Sequence, residues 1–281
     1  MATNGERAPD ALNKAMHTDT GQPALAWSVE AVVASIPGGA PPTHSTSPIP
    51  FFHILERLKT TKREGWRRFG ISHLFSSNHK LTTNSNLPSR GESISDHMYR
   101  MSIMTMLAPA SLTAKLNIPH CTKMALVHDI AEALVGDITP VDGVAKPEKS
   151  RRESTTMDYF TKSLLGRVNG GIPGEEMRAI WQEYEDSLTP ESQFVHDVDK
   201  IELLLQMMEY ERVHEHKLDL GEFAWVATKV VMPEVREWSD ELLKERELFW
   251  GDRAHRHEHD RTDEVHPGRV EYYSKPEPKR S

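Results

Sequence analysis

His128 and Asp129 stand side by side in Ala125-Leu126-Val127-His128-Asp129-Ile130-Ala131-Glu132-Ala133-Leu134, two metal-binding side chains inside an otherwise apolar run. A carboxylate in such surroundings is costly unless it is hydrogen-bonded, paired with a cation or bound to a metal. Any fold this chain adopts must therefore bring a partner to Asp129. His97, in Ser93-Ile94-Ser95-Asp96-His97-Met98, and Asp199, in Val198-Asp199-Lys200-Ile201, each lie at the start of a strongly apolar helical run. Two imidazoles with two carboxylates suit a borderline or hard divalent cation, and Mn, Co, Mg, Fe and Zn all fit. A soft-metal site calls for thiolates, and Cys121 is the one cysteine of the chain.

That single cysteine also excludes an internal disulfide framework and fits a reducing compartment. Apolar residues concentrate between about Pro50 and Gly251 of the 281 residues. This predicts a flexible N-terminal segment over 1–48, one domain over 49–251 and a polar C-terminal tail over 252–281. Within the first segment Ser28 can cap a short helix from Val29 to Ile36, with Trp27 as apolar anchor and Pro37-Gly38-Gly39 as its stop. It offers so few apolar residues that loose docking or none is expected. Residues 70–91, rich in serine, asparagine and threonine, read as an inserted polar loop. The formal net charge of -8 argues against a surface for nucleic-acid polymers. No stretch has the signature of a signal peptide or membrane span, so a soluble, cytoplasmic protein with nuclear access open is expected.

The periodicity is helical throughout, with no alternating strand pattern and no internal repeat, so the fold class is all-α. Phe51, Phe52, Ile54, Leu55 and Leu58 mark a first helix. A second is predicted from an N-cap near Ser95, with His97, Met101, Met104 and Ala108 on its inward face. A third runs from about Pro119 to Leu134, stopped by Gly136, with His128 and Glu132 four apart and pointing the same way. A polar loop carrying Lys146, Lys149, Arg151 and Arg152 precedes helices over about Glu153 to Leu165 and Gly174 to Leu188. The helix from about Glu191 to His214 is apolar nearly all round, which suits a central position, and Asp199 is its misfit. A last helix spans about Pro233 to Trp250.

One histidine, then an adjacent His-Asp, then a distant aspartate resembles the pattern of the HD-domain metal-dependent phosphohydrolases. The longer stretches Glu92-Ser-Ile-Ser-Asp-His-Met-Tyr-Arg-Met101, Ala125 to Pro140 and Met208-Glu-Tyr-Glu211 are similar to its 5'-deoxynucleotidase branch, over about residues 50 to 250. The resemblance implies a helical HD-domain bundle, usually a homodimer, that hydrolyses deoxynucleoside 5'-monophosphates to deoxynucleosides and phosphate. It implies metal ligation by His97, His128, Asp129 and Asp199, and catalytic roles for Glu132 and Asp137, which are also the candidates for a second ion. It places Gly65, Trp66 and Arg67, together with Asp137, Ile138 and Thr139, on the substrate side. In the family the tryptophan and first-histidine motifs are joined by few residues. Here Gly70 to Arg90 intervenes, either a surface loop or a retained intron in the gene model, and the transcript distinguishes the two.

A phosphomonoester is a dianion whose hydrolysis needs charge neutralisation, an oriented water and a proton donor for the leaving alkoxide. Arg63, Arg67, Arg68, Lys149, Arg151 and Arg152 are cations near the motifs. Trp66 either stacks on a base or walls the pocket. Taken alone, His97 reads as a satisfied core histidine and Asp199 as a paired helix carboxylate, but the set of four reverses both. The alternatives are an HD phosphohydrolase acting on a cyclic nucleotide, (p)ppGpp or a dNTP, or a non-catalytic helical metal-binding scaffold.

Overall fold

The computed structural model describes residues 27–71 and 91–251. The expectations for residues 1–26, for most of the polar loop and for the tail therefore fall outside the described residues. Among those described there is no strand. A lone antiparallel bridge joins Lys62 to Ser93, with Arg63 N–H donating to Glu92 O at 3.1 Å and Ile94 N–H to Thr61 O at 3.0 Å. None of the described helices is long and apolar enough to cross a membrane.

The helices are α1 (Val29–Ala34), α2 (Ile49–Thr60), α3 (Ile94–Met106), α4 (Ala110–Thr113), α5 (Ile118–Val127), α6 (Glu132–Val135), α7 (Lys146–Asp158), α8 (Ile172–Asp186), α9 (Pro190–Val213) and α10 (Pro233–Trp250). Tight turns at Glu64–Phe69, Val168–Gly171 and Gly221–Lys229, and a wide π turn at Tyr159–Leu164, join them. The central element is α9, which packs on α3, α5, α8 and α10 and buries Phe194, Val198, Leu204 and Met207 completely. Its polar residues are also deep: Asp197, Glu202, Gln206 and Glu211 are fully buried. Asp197 accepts from the backbone N–H groups of Val231 and Met232, and Glu211 accepts from Leu220 N–H, the Arg246 guanidinium and the Trp250 indole. These two carboxylates staple the C-terminal third of the domain to the central helix.

Four boundaries differ from the sequence-based expectation. The folded body begins before residue 49, because Trp27, Val29, Val32 and Val33 are all buried and α1 docks on α6 and α7. The guanidinium carbons of Arg151 and Arg152 lie 5.8 and 5.6 Å from the Trp27 ring, adding cation–π contact to the small apolar face. The cap of α3 is Ser93 rather than Ser95: its hydroxyl accepts from Asp96 N–H while Asp96 accepts from Ser93 N–H, a reciprocal capping box. The predicted loop over Lys146 to Arg152 is the first half of α7, held by Glu148 pairs to Arg151 (2.7 Å) and Arg152 (2.8 Å) and by Lys149 to Glu153 (3.5 Å). Pairs at i+3 and i+4 support a helix that polarity alone would not suggest. The helix expected over Pro119 to Leu134 stops at Val127. After it Ile130, Glu132 and Ala133 donate three residues back instead of four, and α6 follows.

Glu153 is buried beside Lys149. Burial pushes its carboxyl up to about 7, against the partly offsetting ammonium. A carboxylic acid raised in the fold makes its ionisation a cost, absent at low pH and growing as pH rises through the unfolded value towards the folded one. Glu153→Gln should therefore raise Tm more at pH 8 than at pH 5. Thermal melts showing an equal shift at both pH values, or the larger gain at pH 5, would contradict this.

Candidate metal centre

His97 enters one turn inside α3, fixed in azimuth by the capping box, and is fully buried. Its Nδ1 lies 2.6 Å from Glu202 Oε2 on α9. A carboxylate only accepts, so Nδ1 carries the proton and Nε2 presents a lone pair. His128 caps the end of α5, and its Nδ1 donates to the Ala125 carbonyl at 3.0 Å. That bond likewise frees Nε2. Both Nε2 atoms are buried and make no hydrogen bond among the described residues.

Two carboxylates meet these nitrogens. Asp129 Oδ2 lies 3.2 Å from His128 Nε2 and 3.6 Å from His97 Nε2, and Asp199 Oδ1, arriving from α9, lies 3.4 Å from His97 Nε2. One ligand atom from each of His97, His128 and Asp129 falls within 4.8 Å of the others, while Asp199 stands outside that tight group. Orphaned imidazole lone pairs facing carboxylate oxygens fit a divalent cation, and an N₂O₂ donor set fits the borderline and hard ions.

The charges around this point are sharply sorted. Arg63 sets Nη1 3.4 Å from Asp129 Oδ2 and Nη2 3.8 Å from Asp199 Oδ1. Burial opposes its charge, but Asp137, Asp199, Asp129 and Glu202 outweigh burial and hold its pKa well above the ordinary value. Burial would raise Asp129, yet His128, His97 and Arg63 bring it far below the usual carboxylate range. Burial likewise opposes the His128 imidazolium, and Asp129 reverses this and lifts its pKa. Glu132 goes the other way: burial, then the neighbouring Asp129 and Asp137 carboxylates, push it well up, with Lys149 offsetting part of the effect. Lys149 Nζ is 3.8 Å from Glu132 Oε1, and Oε2 is buried without a hydrogen-bond partner.

His97, His128, Asp129 and Asp199 thus converge from α3, the end of α5 and α9, with Glu132 beside them. Asp137, just beyond α6, accepts from Glu64 N–H at 2.6 Å and so docks the turn carrying Gly65 and Trp66. The structure corrects the stacking option for Trp66. The ring is 2% exposed, edge-on to Tyr210 at 5.2 Å and tilted on Phe223 at 4.5 Å, so no face is open to a base. Arg67 is exposed and pairs with Glu64, Arg68 pairs with Glu222, and Arg151 and Arg152 serve Glu148. Ile138 is buried, and Thr139 turns its N–H and hydroxyl onto Asp142 at 2.6 and 2.7 Å. Sequence reasoning missed Glu202 and Gln206 and did not single out Arg63 from the other cations. Glu202 was detectable as the residue three after Asp199, on the same helical face, and Gln206 as the next turn of that face.

Comparison with known proteins identifies the family of the chain. Residues 78–238 match the HD domain family. The chain is 42% identical over 206 residues to the 5'-deoxynucleotidase hdd1 of Schizosaccharomyces pombe, covering 73% of this chain and 93% of that one. It is 34% identical over 197 residues to the 5'-deoxynucleotidase HDDC2 of Homo sapiens, covering 70% and 84%. Among solved structures it is similar to the HD domain-containing protein YGK1, with a TM-score of 0.53 and 29% identity over 79% of this chain and 93% of that one. By sequence and by fold, this chain belongs to the HD domain family.

Proposed function

We propose that the chain is a divalent-metal-dependent 5'-deoxynucleotidase, hydrolysing deoxynucleoside 5'-monophosphates to deoxynucleosides and phosphate. The observation that carries this is the pair of buried, unpartnered Nε2 atoms facing Asp129 and Asp199, in a chain 42% identical to a relative named for that activity. His97, His128, Asp129 and Asp199 would hold the ion, leaving open positions if it is six-coordinate. A divalent ion there supplies charge neutralisation for the phosphate oxygens and a bound water of lowered pKa.

The protein's own groups do the rest. Arg63, bracketed by two carboxylates of the site, takes a phosphate oxygen, and its planar fork suits that geometry. Glu132, whose pKa burial and neighbouring carboxylates push well up, delivers a proton to the leaving 5' oxygen. As the water oxygen forms the new P–O bond, the bond from phosphorus to the 5' oxygen breaks, and the proton released by the water restores Glu132. Lys149 holds Glu132 Oε1 in place, leaving Oε2 for this exchange. In this scheme Asp137 orients a sugar hydroxyl or a water, or ligates a second ion.

Purified protein supplied in turn with Mn, Co, Mg and Zn should release phosphate from deoxynucleoside monophosphates in preference to ribonucleoside monophosphates. Metal-loaded protein that releases none from any deoxynucleotide would sink the proposal. Glu132→Gln should lower kcat by about 10²- to 10⁴-fold, the usual worth of a general acid–base group, while metal affinity by calorimetry stays at the wild-type value. A hundred-fold excess of metal over Kd should stabilise the fold by about 2.7 kcal/mol, or roughly 5–10 °C in Tm at about 2–4 °C per kcal/mol. EDTA should reverse that shift, and a Tm indifferent to both additions would count against a bound ion.

A further inference from the structure

Behind His97 lies a line of buried polar groups that the reaction scheme does not use. Glu202 is fully buried and accepts from His97 Nδ1 at 2.6 Å, from Arg100 Nε at 2.9 Å and from Gln206 Nε2 at 2.7 and 2.6 Å to its two oxygens. Gln206, also fully buried, accepts on Oε1 from the indole N–H of Trp66. Every direction along this line is forced. An indole nitrogen can only donate and a carboxylate can only accept, so the Gln206 amide has one orientation that satisfies both neighbours. The Glu202 carboxylate, saturated by donors, then leaves His97 Nδ1–H as the only tautomer that completes the set.

We propose that Trp66, Gln206 and Glu202 form a hydrogen-bonded positioning chain that fixes the His97 ring with its Nε2 lone pair aimed at the metal, and so sets the affinity of the site. The inference rests on the reading that His97, His128, Asp129 and Asp199 bind a divalent ion. It gives Trp66 a task that its burial permits, acting on the metal through two intermediaries. It also links two distant pieces of chain, since Trp66 sits on the turn that Asp137 docks through Glu64 while Gln206 and Glu202 lie on α9. A fully satisfied buried network of this kind rigidifies what it holds, and outer partners of metal-bound histidines typically carry 10- to 100-fold in affinity.

The test is Mn²⁺ titration by calorimetry of the full chain as wild type, Glu202→Gln, Trp66→Phe and the double variant. Circular dichroism confirms helicity, and nitrogen NMR of the His97 ring is recorded without metal. Glu202→Gln should weaken binding 10- to 100-fold and turn the single Nδ1-protonated species of His97 into a mixture of tautomers. Trp66→Phe, which keeps an aromatic side chain but removes the N–H together with the five-membered ring, should weaken binding by a smaller factor and add nothing in the Glu202→Gln background, because both act through one chain. If Glu202→Gln does not fold, Gln206→Leu cuts the same chain one link away and takes its place in the cycle. A wild type that binds no divalent ion overturns the metal site itself. A wild type that binds, with either variant binding as tightly or with the two losses multiplying, overturns the positioning chain alone.

Discussion

Placing two imidazole lone pairs and two carboxylates at one point inside a helical core is unfavourable unless a cation shares them, and the architecture follows from meeting that demand. The point exists only where α3, the end of α5 and α9 meet. Each of these helices therefore has its rotation and depth fixed by a polar group as well as by its apolar face. The capping box does this for α3 and the Ala125 carbonyl for the His128 ring. On α9 the polar residues Asp197, Glu202, Gln206 and Glu211 hold a helix whose apolar surface alone would leave its rotation poorly defined.

The two carboxyl groups nearest the histidines differ because their neighbours differ. Asp129 faces cationic and hydrogen-bonding groups that bring its pKa far down, whereas burial and neighbouring carboxylates push that of Glu132 well up. Lys149, 3.8 Å from Glu132 Oε1, offsets part of that upward shift.

The all-α class, the central helix and the four converging side chains were legible in the sequence because they are periodic or chemically conspicuous. An apolar helical run advertises its face, and His128-Asp129 interrupts such a run openly. Groups defined by contact between distant elements were less legible. Arg63 looked like one of six cations until the fold set it against Asp129 and Asp199. Glu202 looked like a helix glutamate until His97 arrived at its other side. The start of α7 was obscured because ion pairs within the helix, rather than an apolar face, support it there. The docking of α1 was underrated because an arginine pair over Trp27 supplements its few apolar side chains. The break after Val127 falls at Val127, His128, Asp129 and Ile130, only middling helix formers, but no Gly or Pro marks it as a stop.

The bridge between Lys62 and Ser93 separates the geometry of the site from the length of chain that intervenes. Arg63 and Glu92 share a backbone hydrogen bond across it, so two short ladder contacts set the spacing from the guanidinium to His97. The bridge is thus a seam that holds the arginine beside the ligands by local backbone pairing.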